Sequence, residues 1–200
     1  MATYGNKQKH ESKNPAQRAL LGHFKAQAVR LVREIQPRSV LEVGCGEGYM
    51  LQALAEADLG IDLVGVDISE AAIADARARL GSRAMLEVLD ARQLVSDGRK
   101  FDLVVMVEVL EHIPRPAEML PILEQLSKQH LLLSVPWEPY FRGLNFLRGK
   151  HIRAFGNDPE HINHWGRGGF LEFVGTRFEI LEKPFVFPWT MALARLRREA

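Results

Sequence analysis

Apolar residues near the start of the chain follow a helical period. They recur at steps of three or four residues and so fall on one side of a helix: Leu20, Phe24, Ala28, Leu31 and Ile35. Asn14 followed by Pro15 is a typical helix start, because an asparagine side chain caps free backbone N–H groups and proline fits the first helical turn. Pro37 then ends the pattern. The sequence predicts a helix over 14–35 with one buried face.

Five short apolar runs follow, separated by segments of helical character. Each run is apolar at successive positions, which is typical of parallel strands that are buried on both faces. The runs are SVLEVG (39–44), DLVGVD (62–67), AMLEVLD (84–90), FDLVVMV (101–107) and HLLLSV (130–135). Helices are predicted between them at 48–57, at 70–80 with Ser69 as the cap, and at 116–127. This alternation predicts an α/β fold, with a single doubly wound, mostly parallel sheet.

The last third of the chain has a different pattern. Residues 136–165 mix aromatic residues with glycines and prolines and follow neither period, so we predict a structured but mobile lid over a bound molecule. A helix near 167–175 and an antiparallel hairpin at the sheet edge, formed by FEILEK and WTMALARL, are expected to follow. The whole chain is then one domain over 1–200. Its expected parts are an N-terminal helical cap (1–38), a ligand-binding core (39–135), the lid (136–165) and a closing helix and hairpin (166–200).

Length and composition agree with one globular domain. The 200 residues are 46% hydrophobic and 26% charged, which excludes a disordered chain. Cys45 is the only cysteine, so an internal disulfide is excluded and a reducing, cytoplasmic location is expected. No apolar stretch approaches the ~20 residues of a membrane-spanning helix. The first residues, MATYGNKQKH, lack the apolar part of a signal peptide.

Charge is distributed unevenly along the chain. Residues 1–38 carry eight Lys/Arg and two Asp/Glu, whereas residues 39–141 carry eight Lys/Arg and seventeen Asp/Glu. Residues 142–200 have a net charge of +4. Two interpretations are open. The charges either form an ordinary solvated surface, or the two basic ends of the chain fold over the opening of one site and favour an anionic ligand there. The overall net charge of +1 is too neutral for strong nonspecific nucleic-acid binding, although a local RNA contact stays open.

A glycine-rich turn follows the first predicted strand. LEVGCGEGYM (41–50) places Gly44, Gly46 and Gly48 between a strand and a helix, where glycine allows a tight turn and close approach of a ligand to the backbone. A dinucleotide site would need its third glycine at the position of Tyr49. Glu42 would repel a pyrophosphate but suits a cationic ligand. A tight turn without a ligand is the structural alternative.

Acidic residues end the next two predicted strands. Asp67 closes VGVD and Asp90 closes LEVLD, at the edge where doubly wound sheets bind their ligands. A carboxylate at Asp67 can accept both hydroxyls of a ribose, and a group at Asp90 can accept the amino edge of adenine. Each acid taken alone is more often a helix cap.

Together these residues resemble the class I S-adenosylmethionine-dependent methyltransferases. The resemblance runs through LEVGCGEG, VGVDIS, LEVLDARQL and FDLVVMVEVLEH, about half of the chain. It implies a Rossmann-like fold and S-adenosylmethionine as cofactor. The cofactor-binding residues that it implies are Glu42, Gly44, Cys45, Gly46 and Gly48 near the methionine part, Asp67 and Ile68 near the ribose, Asp90 and Ala91 near the adenine, and Val107 and Glu108 facing the methyl group.

Candidate catalytic groups lie in two later segments. Methyl transfer to a hydroxyl also requires removal of its proton, and histidine is a natural base. VEVLEHIP places Glu111 and His112 just after the strand that faces the methyl group, and EHINHW places His161 at the end of the lid. We predict that these three residues surround the acceptor. Bracing of the loop, or packing of the lid, is the structural alternative.

The same segments also resemble metal-dependent O-methyltransferases. These include small-RNA 2′-O-methylating enzymes and ubiquinone-pathway O-methyltransferases. The resemblance implies a divalent metal site with the ligands Glu108, Glu111, His112 and His161.

Three hypotheses about function follow. The leading one is an S-adenosylmethionine-dependent enzyme that O-methylates a small molecule, with substrate contacts from Trp137, Tyr140, His164 and Trp165. The second is a metal-assisted RNA 2′-O-methyltransferase. The third is a non-catalytic partner protein that binds S-adenosylmethionine. A nicotinamide oxidoreductase is disfavoured by the glycine spacing.

Overall fold

The computed structural model describes residues 10–147 and 161–197. Its strands form one eight-stranded sheet. They are β1 (Ser39–Val43), β2 (Asp62–Asp67), β3 (Met85–Val88), β4 (Phe101–Val107), β5 (Ser127–Pro136), β6 (Phe178–Glu182), β7 (Phe185–Val186) and β8 (Trp189–Leu196). The helices of the described ranges include α1 (Pro15–Ile35), α2 (Tyr49–Glu56), α3 (Glu70–Leu80), α4 (Ala91–Ser96), α5 (Met119–Leu126), α6 (Tyr140–Leu147) and α7 (Arg167–Gly175).

The sheet is parallel over its first five strands and antiparallel at its other end. The strand order is β3-β2-β1-β4-β5-β8-β6, with β7 paired to β8. β8 runs antiparallel to β5, β6 and β7. This confirms the predicted Rossmann-like α/β fold with a C-terminal antiparallel hairpin. β8 lies between β5 and β6, so of the two predicted hairpin strands only β6 lies at an edge of the sheet.

The order of the parallel strands decides where a ligand can bind. The chain proceeds outward from β1 to β3 on one side and then returns to β4 on the other side of β1. The loops that leave β1 and β4 therefore diverge to opposite faces, and in doubly wound sheets the crevice between such loops is the usual ligand site. The residues at this point are those of the glycine turn and of Val107 and Glu108.

Helices cover both faces of the sheet. One core lies between α1, α2 and α3 and a face that includes Leu103 and Val105 of β4. The other lies between α4, α5 and α7 and a face that includes Val104 and Met106. Because successive strand residues point to opposite faces, both sets must be apolar, which explains the continuous apolar runs of the sequence.

The predicted helix starts of α1 and α3 are confirmed. The side chain of Asn14 accepts hydrogen bonds from the N–H groups of Ala16 and Gln17, and Ser69 Oγ accepts one from Ala72. These caps satisfy N–H groups that have no partner within the helix.

Two helices were not predicted. α4 begins directly after Asp90, and α6 occupies residues for which the sequence analysis found no helical period. Residues 148–160 of the predicted lid lie outside the described ranges. The closing of a lid therefore stays a prediction. Within residues 10–147 and 161–197, no helix has both the length and the apolar character that crossing a membrane requires.

Candidate active site

The glycine turn between β1 and α2 has a backbone conformation that other residues rarely adopt. Gly44, Gly46 and Gly48 have φ values of 70°, 51° and 77°, in the left-handed region where a Cβ is unfavourable. Space is lacking as well, because a Cβ on Gly44 would lie 2.6 Å from Cγ2 of Val109 and one on Gly48 would lie 2.9 Å from Cδ1 of Leu80. The turn therefore requires glycine at these two positions.

Asp67, the last residue of β2, braces this turn. One carboxylate oxygen accepts a hydrogen bond from the N–H of Gly46 at 2.9 Å, and the other accepts one from the N–H of Ser69 at 2.9 Å. The carboxylate is thereby fixed at the carboxyl end of the sheet, with further lone pairs available to a ligand hydroxyl. Ile68 follows directly and is 77% exposed, so it presents apolar surface at the same edge.

A pocket opens between the glycine turn, the end of β4 and α1. It is lined by His10, Phe24, Lys25, Glu42, Gly44, Cys45, Tyr49, Met50, Val107 and Glu108. Glu42 is 2% exposed, and its Oε2 has no hydrogen-bond partner among the described residues. Burial, assisted by the negative charge of Asp67, raises the pKa of Glu42 to about 8, while a backbone hydrogen bond and the charge of Lys25 act in the opposite direction. A buried carboxyl of this kind suits a cationic ligand group.

Glu108 lies at the end of β4 in a strained backbone conformation. Its φ of 56° is in the left-handed region, which costs a residue with a Cβ about 1–2 kcal/mol. Its N–H donates to the carbonyl oxygen of Ser134 at 3.0 Å, and its Oε1 accepts a hydrogen bond from Nε1 of Trp189 at 2.5 Å. These two bonds hold the carboxylate at the pocket.

The three predicted catalytic residues come together in the structure. One ligand atom of each of Glu111, His112 and His161 lies within 4.8 Å of those of the other two. Glu111 and His161 are buried and His112 is exposed. The two imidazole rings lie 5.0 Å apart, and Phe141 stacks on His161 at 5.5 Å.

Glu108 is not part of this cluster. Its carboxylate lines the pocket beside the glycine turn and accepts from Trp189, so of the four implied ligands only Glu111, His112 and His161 are grouped among the described residues. A metal site here stays a prediction. One carboxylate and two imidazoles still form a donor set that suits a divalent ion.

Comparison with known proteins identifies the family. A family model described as a methyltransferase domain matches residues 41–130. A ubiquinone biosynthesis O-methyltransferase of Pseudomonas paraeruginosa is 33% identical over 171 residues, which cover 74% of this chain and 72% of that protein. This chain belongs to the class I S-adenosylmethionine-dependent methyltransferases. It has S-adenosylmethionine-dependent methyltransferase activity, as the sequence analysis predicted.

Two further comparisons agree with this assignment. A ubiquinone biosynthesis O-methyltransferase of Methylococcus capsulatus is 29% identical over 170 residues, covering 76% of this chain and 70% of that protein. Among solved structures, magnesium protoporphyrin IX methyltransferase from Synechocystis with bound SAH has a TM-score of 0.69 at 21% identity, covering 96% of this chain and 92% of that one. The structural likeness is evidence for the fold.

The chemistry of the pocket fits the methyltransferase cofactor. S-adenosylmethionine carries an ammonium, a carboxylate, a sulfonium and a ribose. Glu42 and Lys25 line the pocket and bring a carboxyl and an ammonium group to it, and the carboxylate of Asp67 braces the glycine turn. Their contacts with the individual groups of the cofactor stay predictions. The thiol of Cys45 is also buried here, and burial raises its pKa, so it remains protonated and uncharged.

Asp90 and Ala91 have a structural role that the sequence left open. The carboxylate of Asp90 caps α4 by accepting from the N–H of Arg92 at 2.9 Å, and it pairs with the side chain of Arg92 at 2.9 Å. Gln93 returns a side-chain bond to Asp90 N–H, completing a capping box. Ala91 is buried. Their contact with the adenine of the methyltransferase cofactor stays a prediction.

The sequence analysis missed the N-terminal wall of the pocket. Tyr49 stacks on His10 with ring centroids 4.1 Å apart, and its hydroxyl donates to Oε1 of Glu11 at 3.2 Å. The guanidinium of Arg79 lies 3.8 Å and the ammonium of Lys25 5.3 Å from the Tyr49 ring centroid. One signal for this wall was available in the sequence: Lys25 directly follows Phe24, which belongs to the apolar side of α1.

The predicted substrate residues separate into two groups. Trp137 and Tyr140 lie 4.8 Å apart in an aromatic cluster that also contains Phe185 and Phe187. Tyr140 is 51% exposed, and His164 is exposed as well. The ring of Trp165, in contrast, packs at 4.7 Å on Phe173 of α7. Tyr140 and His164 are thus open to solvent, whereas Trp165 contributes to helix packing. Contact of these residues with a substrate stays a prediction.

Proposed function

We propose that this methyltransferase transfers a methyl group to a hydroxyl oxygen of a small molecule. The observation that carries the proposal is the position of Glu111, His112 and His161. Glu111 and His112 lie in the loop that follows the pocket strand β4, and the distant His161 lies against them. Such groups are needed when the acceptor has a proton to lose. The relatives named as O-methyltransferases support the same acceptor atom.

On the cofactor side of the site, each charged side chain has a proposed role. Glu42 binds the ammonium of S-adenosylmethionine, and Asp67 accepts the ribose hydroxyls. The glycine turn lets the backbone approach the methionine part, and Asp90 with Ala91 borders the adenine. The cofactor supplies an activated methyl group on sulfur, so the protein has only to align the acceptor behind it and to exclude water.

The acceptor side removes the hydroxyl proton. His161 and His112 are the candidate bases, and the buried carboxylate of Glu111 stabilises the imidazolium that forms. If the three residues instead hold a divalent ion, that ion supplies a lower pKa for the bound hydroxyl. Trp137, Tyr140 and His164 contact the acceptor.

Incubation with methyl-labelled S-adenosylmethionine and a panel of acceptors tests the proposal. The panel contains phenols, sugars, hydroxy acids and an RNA oligonucleotide. The expected product is an alkali-stable methyl ether of a small molecule. Methylation of the RNA alone would replace the proposal with the RNA 2′-O-methyltransferase hypothesis, and an alkali-labile ester would show a carboxyl acceptor.

The catalytic group is tested with matched histidine variants. His161→Gln is expected to lower turnover at least about a hundredfold, the usual contribution of a positioned acid or base. His130→Gln is the control, because His130 lies near the other end of β5. Turnover that survives a chelator identifies histidine as the base, and turnover that is lost and returns with added Mg²⁺ identifies the metal. Equal rates for both variants would contradict the assignment.

A cytoplasmic location is proposed from the sequence. The free and buried Cys45 supports it.

A further inference from the structure

Asn163 joins two segments that are distant in sequence. Its side-chain Nδ2 donates to the carbonyl oxygen of Leu110 at 3.1 Å and to that of Ile113 at 2.7 Å. Both partners are carbonyl oxygens, so the atom facing them must be the amide nitrogen, which has two hydrogens to give. The two carbonyls lie at the start and just after the end of the 3-10 turn Leu110–His112. The carbonyl of Leu110 also accepts a bond from the N–H of Ile113 at 3.3 Å, so Asn163 adds a second donor to it.

The backbone makes two further bonds between the same segments. The N–H groups of Ile162 and Asn163 donate to the carbonyl oxygen of Glu111 at 2.9 Å and 3.0 Å. Three of these four bonds come from Asn163. They place His161 beside Glu111 and His112, where the imidazole rings meet at 5.0 Å.

We propose that Asn163 is a positioning residue of the acceptor site. It holds His161 against Glu111 and His112 in the geometry that removal of the hydroxyl proton requires. The catalytic meaning of this inference rests on the proposed function. The hydrogen bonds of Asn163 are observed independently of that function. Asn163 is not among the residues that line the cofactor pocket, so its effect is confined to the acceptor side.

Asparagine is the side chain that this position needs. Aspartate has the same shape but no hydrogen to donate, and its negative charge would face two carbonyl oxygens. Glutamine would have to fold an additional methylene into a half-buried site. The change Asn163→Asp thus removes both donors with almost no change in volume.

Asn14 offers a matched control. It caps α1 through its side-chain oxygen, which accepts from the N–H groups of Ala16 and Gln17. The change Asn14→Asp preserves that acceptor, because aspartate is an equally good N-cap. The same chemical substitution is therefore disruptive at one site and neutral at the other.

The test measures amide hydrogen exchange, cofactor affinity and turnover in the two variants. Asn163→Asp is expected to speed exchange at 110–113 and 161–165 by about tenfold or more and to leave the rest of the sheet unchanged. Its affinity for S-adenosylmethionine by calorimetry stays within about twofold of the wild type. Its kcat falls, and the double variant with His161→Gln turns over no more slowly than His161→Gln alone, because both act through the same imidazole.

The outcomes separate this proposal from the function it serves. Unchanged exchange in both segments, or an additive loss in the double variant, would overturn the role of Asn163. Weaker cofactor binding would show a general structural defect and would also overturn it. If the wild type methylates no hydroxyl acceptor, the proposed function fails, while the exchange measurement still decides whether Asn163 fastens the segments. Should Asn163→Asp not fold, Asn163→Ser is measured in its place, since serine keeps one donor and should give an intermediate exchange rate.

Discussion

The indole Nε1 of Trp189 donates a hydrogen bond to Oε1 of Glu108 at 2.5 Å, across 81 positions of sequence. Trp189 is 3% exposed, and its ring lies 5.1 Å from Phe24 of α1. A residue of the last strand thereby sets the direction of the Glu108 carboxylate, directly after β4. Glu108 is directed to the cofactor pocket, and the Glu111–His112–His161 cluster remains separate.

Trp189→Phe tests this link. Phenylalanine preserves most of the ring packing but has no N–H, so Glu108 loses the hydrogen bond from Trp189. A hydrogen bond to a charged group contributes about 1.5–3 kcal/mol, and we expect the affinity for S-adenosylmethionine to fall at least about tenfold. Trp165→Phe is the control, because the Nε1 of Trp165 has no hydrogen-bond partner among the described residues. Calorimetry that finds equal affinities in the two variants would contradict the role of Trp189.

Asp67→Ala is expected to weaken cofactor binding by about 1–3 kcal/mol, because the ribose hydroxyls lose a charged acceptor. The glycine turn also loses the bond from Gly46 to Asp67, so binding enthalpy and turn order should fall together. Calorimetry with S-adenosylmethionine measures the change. The control is Asp97→Ala, an exposed position just after α4. An unchanged dissociation constant in Asp67→Ala would remove the ribose assignment.

Glu42 should make stability depend on pH. Its pKa in the folded protein is about 8, against 4.5 for an ordinary glutamate. A raised carboxyl pKa means that the folded state holds the proton more tightly, so this contribution is complete below pH 4.5 and is lost as pH rises to about 8. The loss amounts to at most about 1.4 kcal/mol per pH unit. Urea unfolding at several pH values should show this slope in the wild type and a flatter one in Glu42→Gln. If the free energy of unfolding depends on pH in the same way in both proteins, the role of Glu42 in this pH dependence is refuted.

Lys25 is expected to bind the carboxylate of S-adenosylmethionine. It lines the same pocket as Glu42, which is assigned to the ammonium, so the two residues would recognise both charges of the amino-acid end. Lys25→Met keeps the length of the side chain and removes the charge. We expect about a tenfold weaker affinity, measured by calorimetry and diminished at high salt. Lys100→Met, at an exposed position before β4, is the control. A loss of the same size in the control would mean that general charge, not this contact, is responsible.

Local patterns in the sequence were sufficient for the elements that build the sheet. The bounds predicted for β2, β4 and α3 agree with the structure residue for residue, since apolar periods and caps such as Ser69 act within a few neighbours. The glycine turn was predicted for the same reason, because the need for positive φ is local. α4 was missed although Asp90 and Gln93 form a capping box, since its six residues are too few to reveal a helical period.

The acceptor side was only partly predictable. Glu111 and His112 are neighbours in sequence, but nothing local places His161 beside them, and nothing local indicates that Asn163 makes the connection. Glu108 was grouped with the metal ligands by the resemblance to metal-dependent O-methyltransferases, whereas the tertiary structure directs it to Trp189 and the pocket. The sequence by itself determined the sheet, the caps and the glycine turn, because these depend on residues a few positions apart. Only the tertiary structure decided which side chains share a site, because β8, α1 and the 161–165 segment reach that site by packing across the sheet.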